Sequence, residues 1–367
     1  MVIMNLTLIF AEVHEFDIKE KYGITQSGIE SAINLSKNIF TEEPNDTVIL
    51  FFDEGVHIID HNGSAISLDS INPGSTGELI FYGAGMDKTT LVFANMEETS
   101  LEAKNVSRIT FKDMHFTRSV PVATQGSLKI AHEVFNWLVL DIPKGFPTTL
   151  DILNNNSHHH HGRYLRRYKN TEFPELLDHE TVEWSHTSYY DVGQWKIKVK
   201  GDLVLENWTT GDLVGVKSDC CGKHGGIVYN FTESENIVFE NIKWTRQSKG
   251  VFRNGTKKVR LSNCKVEREP RTEGGNWCLS SSSDGPVFGH PDDLSVQDVI
   301  IDNFYSDAIG GDSLQFYNVL SNVTISNSFI KDSFGSGILL YNSPDDQVIM
   351  VNNTLIRSDI KKVNPPN

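Results

Sequence analysis

The chain has 367 residues and carries 48 Asp plus Glu against 33 Lys plus Arg, a formal net charge of −15 at pH 7. A surface this acidic repels phosphate backbones and anionic lipid, so neither nucleic acid nor a membrane is expected as a partner. The 28 Gly, 12 Pro and 38% apolar residues favour short strands joined by turns over a helical bundle.

Residues 1–11 form an apolar stretch that is too short to span a bilayer. Two interpretations stay open for it, the remnant of a signal peptide and a first buried strand. Asn-x-Ser/Thr sequons recur along the chain, for example at Asn62, Asn207 and Asn254, as in secreted glycoproteins. We therefore expect a secreted or lumenal protein with one domain over residues 12–367.

A helix is predicted over residues 25–40, because Ile29, Ala32, Ile33, Ser36 and Phe40 fall on one helical face. Thr25 is available as its N-cap. Such a helix would cover the exposed edge of a first strand layer. The order of an extended strand, this helix and the strand-Gly-aliphatic segment at residues 48–58 resembles the start of pectate-lyase-type β-helix enzymes.

One pattern then returns along the chain: a short β-branched or aromatic strand, an Asn, and another short strand. The Asn residues of the later copies are spaced by 22, 40, 24 and 25 residues, and the spacing of 40 is interpreted as one coil plus an insertion over residues 268–291. This period predicts an all-β fold, a single-stranded right-handed parallel β-helix. The aligned residues are Asn241, Asn263, Asn303, Asn327 and Asn352.

Each recurring Asn is predicted to lie at a turn, where it tolerates left-handed backbone angles and can bond the next coil. Residues 117–195 fit no repeat, and we interpret them as a large loop-rich insertion. The chain reaches Asn367 soon after a coil without an obvious C-terminal cap, as expected of a C-terminally truncated β-helix.

The candidate catalytic residues are three carboxylates that follow one another at about one coil. Asp284 precedes Asp307 by 23 residues and Asp312 by 28. This spacing predicts that they lie on the same side of neighbouring coils. Two carboxyls about 6.5–9.5 Å apart suit an inverting glycosidase, which needs one acid, one base and a water between them. The alternative interpretation is that these residues only form turns, since Asp-Gly is a common turn.

The Asp284-Gly285 step, an Asp one coil later and the Ser-Asn-Val-Thr-Ile-Ser-Asn run at residues 321–327 resemble the active-site coils of inverting β-helix glycoside hydrolases. The two groups concerned are polygalacturonases and β-helix α-galactosidases. The resemblance implies a hydrolytic site at Asp284, Asp307 and Asp312. The sequence departs from it in lacking an Asp-Asp pair and in having Gly335-Ser336-Gly337 where polygalacturonases carry Gly-His-Gly, so a neutral terminal sugar fits better than pectic acid.

Further candidates for substrate binding lie near these carboxylates. His290 is expected to orient a carboxyl or to bond a sugar hydroxyl. Arg268 and Arg271 suit sugar hydroxyls or carboxylates, and equally suit ion pairs with surface Glu. Trp277 and Tyr305 suit stacking on sugar rings, and equally suit core packing.

The sequence thus favours a secreted inverting glycoside hydrolase that acts on a poly- or oligosaccharide, without a cofactor or a metal. The rival hypotheses are a polysaccharide lyase on the same scaffold and a non-catalytic carbohydrate-binding protein. Phosphate-loop, dinucleotide and His-Glu-x-x-His motifs are absent, which disfavours nucleotide cofactors and zincin chemistry. The sugar, its linkage and the oligomeric state stay open.

Overall fold

A computed structural model describes residues 11–364 except 96–97, 122–123, 133–134, 144–145, 147–163, 172–173, 178–181, 192–193, 200–206, 217–226, 247–248, 270–278, 280–283, 292–295, 310, 319–320, 334 and 344–346. Parallel strands dominate it. The first part holds β1 (Val13–Asp17), α1 (Ile18–Lys21), α2 (Gln26–Glu42), β2 (Thr47–Phe52), β3 (Gly55–Ile59), β4 (Ile66–Asp69), β5 (Glu78–Gly83), β6 (Thr89–Phe93), β7 (Leu101–Lys104) and β8 (Ser107–Arg118).

The chain then leaves the repeat for an excursion that ends before residue 229. Its strands are β9 (Thr124–His132), β10 (Trp137–Asp141), β11 (Tyr164–Lys169), β12 (Glu175–Leu176), β13 (Val182–Asp191), β14 (Gln194–Val199) and β15 (Leu213–Val216).

After the excursion the repeat resumes and continues to residue 363. The strands of this part are β16 (Tyr229–Thr232), β17 (Glu235–Trp244), β18 (Gly250–Arg253), β19 (Lys257–Ser262), β20 (Lys265–Val266), β21 (Pro286–Phe288), β22 (Gln297–Asp302), β23 (Tyr305–Asp307), β24 (Leu314–Tyr317), β25 (Ser321–Ser326), β26 (Phe329–Lys331), β27 (Ile338–Tyr341), β28 (Val348–Val351), β29 (Thr354–Ile356) and β30 (Ile360–Val363).

Two parallel sheets build the repeat. In the larger sheet the long strands follow the order β1-β2-β5-β8-β17-β19-β22-β25-β28, and the short strands β20, β23, β26 and β29 pair beside them. In the second sheet the order is β30-β27-β24-β21-β18-β16-β7-β4. One coil therefore runs through a long strand, a short strand and a strand of the second sheet before it stacks on the next coil. The predicted parallel β-helix is confirmed.

The core lies between the sheets and is filled by like residues stacked along the axis. On the long strands Val259, Val299 and Val323 are in register and buried. On the second sheet, Phe252, Phe288 and Phe316 stack with ring centroids 5.1 and 4.9 Å apart. Each coil alone has too few apolar residues to fold, so burial against the neighbouring coil is what stabilises it.

Four of the five recurring Asn residues occupy turns between long and short strands, as the sequence predicted, whereas Asn241 lies inside β17 with φ 56°. Asn263, Asn303, Asn327 and Asn352 have positive φ, between 52° and 54°. The Asn303 side chain donates to Asn263 Oδ1 at 2.6 Å, one coil away. The same turn therefore repeats in these four coils because Asn accepts the left-handed backbone.

Helix α2 lies where the sequence places a helix. The Thr25 hydroxyl accepts a hydrogen bond from Gly28 N, and Ile29, Ile33 and Phe40 are buried in the same apolar cluster as the β-helix core. The Gln26 side chain donates to the carbonyls of Asn62 and Ser64 beside β4. Among the residues that the structure describes, no helix is long and apolar enough to cross a membrane.

The excursion is a sheet of its own and not a loop-rich insertion. Its strands pair antiparallel in the order β12-β11-β13-β14-β10-β9-β15, and its last strand lies beyond the predicted boundary at residue 195. Leu138, Leu140, Leu165 and Ile197 form a separate apolar cluster in it. Antiparallel strands pair without a coil, so no repeat of about two dozen residues marks them in the sequence.

Candidate active site

The candidate carboxylates lie around one turn, between β23 and β24. Asp307 is the last residue of β23, and Asp312 lies two residues before β24. Inside this turn the Ser306 hydroxyl donates to the Ser313 hydroxyl at 2.7 Å. This bond joins the two ends of the turn, which we call the catalytic corner (residues 306–313). Asp307 follows the first of these serines and Asp312 precedes the second, so the hydrogen bond holds the two ends of the turn together next to both Asp residues.

Asp284 stacks on Asp312 from the preceding coil. β21 and β24 pair in parallel with Val287 opposite Gln315, so positions 284 and 312 share a register. Asp284 Oδ1 accepts a hydrogen bond from the backbone N of Asp312 at 3.3 Å. Asp312 in turn accepts one from the backbone N of Ser336, in the following coil. These two hydrogen bonds link the three neighbouring coils at positions 284, 312 and 336.

Asp307 lies in an ion-pair network on the outer face of the short strands, with only 7% of its surface exposed. Arg268 Nε donates to Asp307 Oδ2 at 3.0 Å, and Lys331 Nζ lies 3.9 Å from Oδ1. Burial opposes the charge of Arg268, but the Asp307 carboxylate raises the pKa of this guanidinium on balance. Arg268 therefore keeps its positive charge at neutral pH.

The short strands carry two outward columns of side chains, which together we call the outer stripe. Their register follows from parallel strand pairing: the end of β8 pairs with the end of β17, which pairs with β20, and β20, β23 and β26 then pair in that order. One column is His115, Lys243, Lys265, Tyr305 and Phe329. In the other column Asp307 pairs with Lys331, and the same register continued by one residue past the paired strand ends adds Thr117, Thr245 and Glu267.

Glu267 is a carboxylate that the sequence analysis missed. It occupies the position next to Asp307 in the outer stripe, one coil earlier, and its Oε1 lies 2.8 Å from Lys243 Nζ. Neighbouring parallel strands are about 4.8 Å apart, so two carboxylates meet on adjacent coils. The signal was present, because Glu267 and Asp307 are 40 residues apart, the same interval as Asn263 and Asn303.

Tyr305 lies beside both carboxylates. Burial raises the pKa of its phenol to about 12, and the charges of Asp307 and Glu267 act in the same direction. Its ring stacks on that of Phe329 with centroids 5.7 Å apart. The phenol therefore keeps its proton at neutral pH and can donate a hydrogen bond in the outer stripe.

The antiparallel sheet reaches the same region. Arg166 of β11 donates to the carbonyl of Asp332 at 3.1 Å and to that of Ser333. Tyr168 of the same strand donates to the carbonyl of Leu279 at 3.3 Å, and Arg268 donates to that of Pro174 at 3.4 Å. The excursion thus forms one wall beside the catalytic corner.

The structure brings together most of the predicted residues that it describes. Asp284, Asp307 and Asp312 surround the catalytic corner, Tyr305 lies in the outer stripe, and Arg268 bonds to Asp307 of that stripe. His290 does not join them, because it is exposed at the opposite end of β21 from Asp284. Arg271 and Trp277 lie outside the described residues. In the described part of the chain no group of three or more His, Cys, Asp or Glu is arranged to hold a metal ion.

Comparison with known proteins gives one family match. A family described as "Right handed beta helix region" matches residues 208–363. No curated protein matches the sequence.

Similar solved structures share little sequence with this chain. ORF18 of Geobacillus virus E2 is 8% identical, with 92% of this chain and 48% of that chain covered and a TM-score of 0.41. The catalytic unit of a GH87 α-1,3-glucanase from Streptomyces thermodiastaticus is 10% identical, with 90% and 45% covered and a TM-score of 0.38. A pectate lyase from Bacillus sp. N165, in complex with trigalacturonate, is 8% identical, with 95% and 82% covered and a TM-score of 0.40.

This chain spans about half of the length of the first two. The family match covers the coils that follow the excursion, and the parallel strand register extends the same architecture towards the N-terminus. The chain therefore contains a right-handed β-helix region over residues 208–363, in agreement with the parallel β-helix that its sequence predicted.

Proposed function

We propose that this protein is a secreted inverting glycoside hydrolase that cleaves a poly- or oligosaccharide at the catalytic corner. The observation that carries the proposal is the meeting of three Asp residues around one turn: Asp307 and Asp312 at its two ends, and Asp284 stacked on Asp312. Carboxylates on both sides of a glycosidic bond are what acid and base catalysis of its hydrolysis requires.

The surroundings of each carboxylate suggest its role. Arg268 Nε and Lys331 Nζ lie 3.0 and 3.9 Å from the Asp307 oxygens, and we assign Asp307 as the general base. Asp312 is more exposed than Asp284 and Asp307, and we assign it as the general acid. Asp312 would give its proton to the leaving oxygen as the C–O bond breaks. Water would attack the anomeric carbon and pass its proton to Asp307, and Asp284 would help to orient that water.

The experiment is a set of single Asp→Asn substitutions at positions 284, 307 and 312, assayed by release of reducing sugar from a panel of polysaccharides. We expect a loss of about 100-fold or more at the acid and base positions. Asp60→Asn, an exposed residue of the first coil, is the matched control and should retain activity. Unchanged turnover in all three variants would end the proposal. The anomer of the first product, followed by NMR, distinguishes inversion from retention.

A polysaccharide lyase is the second candidate, favoured by the two cations beside Asp307. Elimination needs a base for the sugar proton and positive charge against a uronate carboxylate, and Arg268 and Lys331 would supply that charge. The lyase reaction consumes no water and leaves an unsaturated sugar. New ultraviolet absorbance in the product, without incorporation of ¹⁸O from labelled water, would replace the hydrolase by the lyase.

A further inference from the structure

We infer that the outer stripe binds an anionic polysaccharide, with Lys265 as the residue that pairs with a carboxylate or sulfate of the polymer. The inference rests on the proposed function, because it names the substrate class of the same site. It begins from one cation in the stripe that pairs with no anion among the residues that the structure describes.

Lys265 lies in the middle of the outer stripe, in register between Lys243 and Tyr305. Its side chain is partly buried. Within the part of the chain that the structure describes, no carboxylate oxygen lies within 4.0 Å of its Nζ. A partly desolvated ammonium beside a second lysine is costly without a counter-charge, so an external anion stabilises it.

The carboxylates nearby are engaged with other cations. Glu267 pairs with Lys243 at 2.8 Å, and Asp307 pairs with Arg268 at 3.0 Å. Lys331 lies between Asp307 and Asp332, 3.9 and 3.7 Å from their oxygens. These contacts leave Lys265 as the excess positive charge of the stripe. This local excess is opposite in sign to the net charge of −15 on the whole chain.

The shape of the stripe suits a polymer. His115, Lys243, Lys265, Tyr305 and Phe329 stand on five successive coils. At about 4.8 Å per coil the column is roughly 19 Å long, which accommodates several sugar rings. Beside Lys265 the Tyr305 phenol offers a hydrogen-bond donor. A lysine is a compact point charge that accepts a carboxylate or a sulfate equally, so the charge defines the class of polymer and not the acid group.

The test is affinity electrophoresis of the full chain in native gels that contain sodium polygalacturonate, dextran sulfate or unmodified dextran. We expect retardation by at least one of the two anionic polymers and none by dextran. The two anionic gels distinguish a carboxylate from a sulfate. Because the protein is itself strongly acidic, non-specific ionic retention is disfavoured, and retardation reports a local site.

The Lys265→Gln variant should bind the retarding polymer about tenfold more weakly, which corresponds to the loss of one charge-assisted contact. Lys361→Gln, an exposed residue of β30 with the same change in net charge, is the matched control and should bind as the unmodified chain does. Coincident urea unfolding curves establish that both variants are folded. No retardation by either anionic polymer, or equal weakening in both variants, would overturn the inference.

Binding and catalysis fail separately. If an anionic polymer retards the chain through Lys265 but no product forms, the inference stands and the proposed hydrolase falls. If the chain hydrolyses a neutral polysaccharide and Lys265→Gln changes neither binding nor turnover, the proposed function stands and the anionic substrate class falls.

Discussion

Ser306 donates a hydrogen bond to Ser313 across the catalytic corner at 2.7 Å, and Ser313 shares a second bond of 2.7 Å with Ser333 of the next coil. All three hydroxyls are buried. This chain of bonds closes the turn from inside and joins it to the turn above. The positions of Asp307 and Asp312 relative to each other therefore depend on side chains that never reach the surface.

Replacing Ser313 by Ala should lower the free energy of unfolding by about 1–3 kcal/mol, because two buried hydroxyls lose their shared partner. Urea denaturation measures it. Ser31→Ala, which removes a hydroxyl bonded to the backbone of the exposed face of α2, serves as the control. Equal stabilities of the Ser313 variant and the unmodified chain would contradict the role assigned to the corner.

The Asn turns give a second prediction, in which two substitutions at one position separate two effects. Asn303 has φ 53° and donates to Asn263 at 2.6 Å. Asn303→Gly removes only the side-chain hydrogen bond, so we expect the free energy of unfolding to fall by about 1 kcal/mol. Asn303→Ala also places a Cβ in the left-handed region, which costs a further 1–2 kcal/mol or so.

Urea unfolding of both variants checks the order of stability, with the unmodified chain first, Gly second and Ala last. An Ala variant as stable as the Gly variant would show that the left-handed backbone does not matter at this turn.

Asp332 is the third test, since it is buried while its main partner is partly exposed. Arg357 Nη2 donates to Asp332 Oδ2 at 2.8 Å, and Lys331 Nζ lies 3.7 Å from the same oxygen. Asp332→Asn leaves Arg357 without its counter-charge and leaves Lys331 with Asp307 alone, so a loss of about 2–3 kcal/mol is expected, less than for a fully buried pair. The control is Asp359→Asn, on an exposed residue, which should change the free energy of unfolding by less than about 0.5 kcal/mol.

His115 gives the prediction on pH. Burial lowers the pKa of its imidazole to about 3, and the nearby charges of Lys243 and Arg246 act in the same direction, against the opposing charge of Asp87. The ring also contacts the hydroxyls of Thr90 and Thr245. In the unfolded chain the pKa is about 6.5, so the unfolded state binds the proton first as the pH falls.

Stability from His115 is therefore complete above about pH 6.5 and is lost towards pH 3, with a slope of at most about 1.4 kcal/mol per pH unit. Between pH 6.5 and 5 the unmodified chain should lose about 2 kcal/mol more than His115→Gln. Urea unfolding at both pH values measures this difference, and His290→Gln, on an exposed ring, should behave as the unmodified chain does. Parallel pH profiles for the unmodified chain and His115→Gln would refute it.

The parallel β-helix could be read from the sequence because its repeat is local. The spacings of 22, 40, 24 and 25 between Asn residues reappear as the strand register, in which Ile237 pairs with Val259, Val259 with Val299, Val299 with Val323 and Val323 with Val348. The left-handed turn of each of these coils carries an Asn, so the same residue recurs in the sequence at intervals of about one coil.

The excursion could not be read in this way. Its strands pair antiparallel with neighbours at varied distances along the chain, as in the pairing of β11 with β15. No residue has to recur at a fixed interval in such a sheet, and the sequence analysis therefore expected loops over residues 117–195.

Only part of the candidate site could likewise be predicted from the sequence. The intervals of 23 and 28 residues predicted that Asp284 lies on the same side of the coils as Asp307 and Asp312, and they left open which of the two it stacks on. Glu267 and Lys265 were missed, although the interval of 40 residues between Glu267 and Asp307 is also the interval between Asn263 and Asn303. Which cation is left without a carboxylate depends on the ion pairs that Lys243, Arg268 and Lys331 make in three dimensions. The sequence by itself determined the repeat and its turns. Only the tertiary structure decided that Asp284 stacks on Asp312 and which charges are neutralised at the outer stripe, because strand register and ion pairing depend on distances of a few ångströms between residues far apart in the chain.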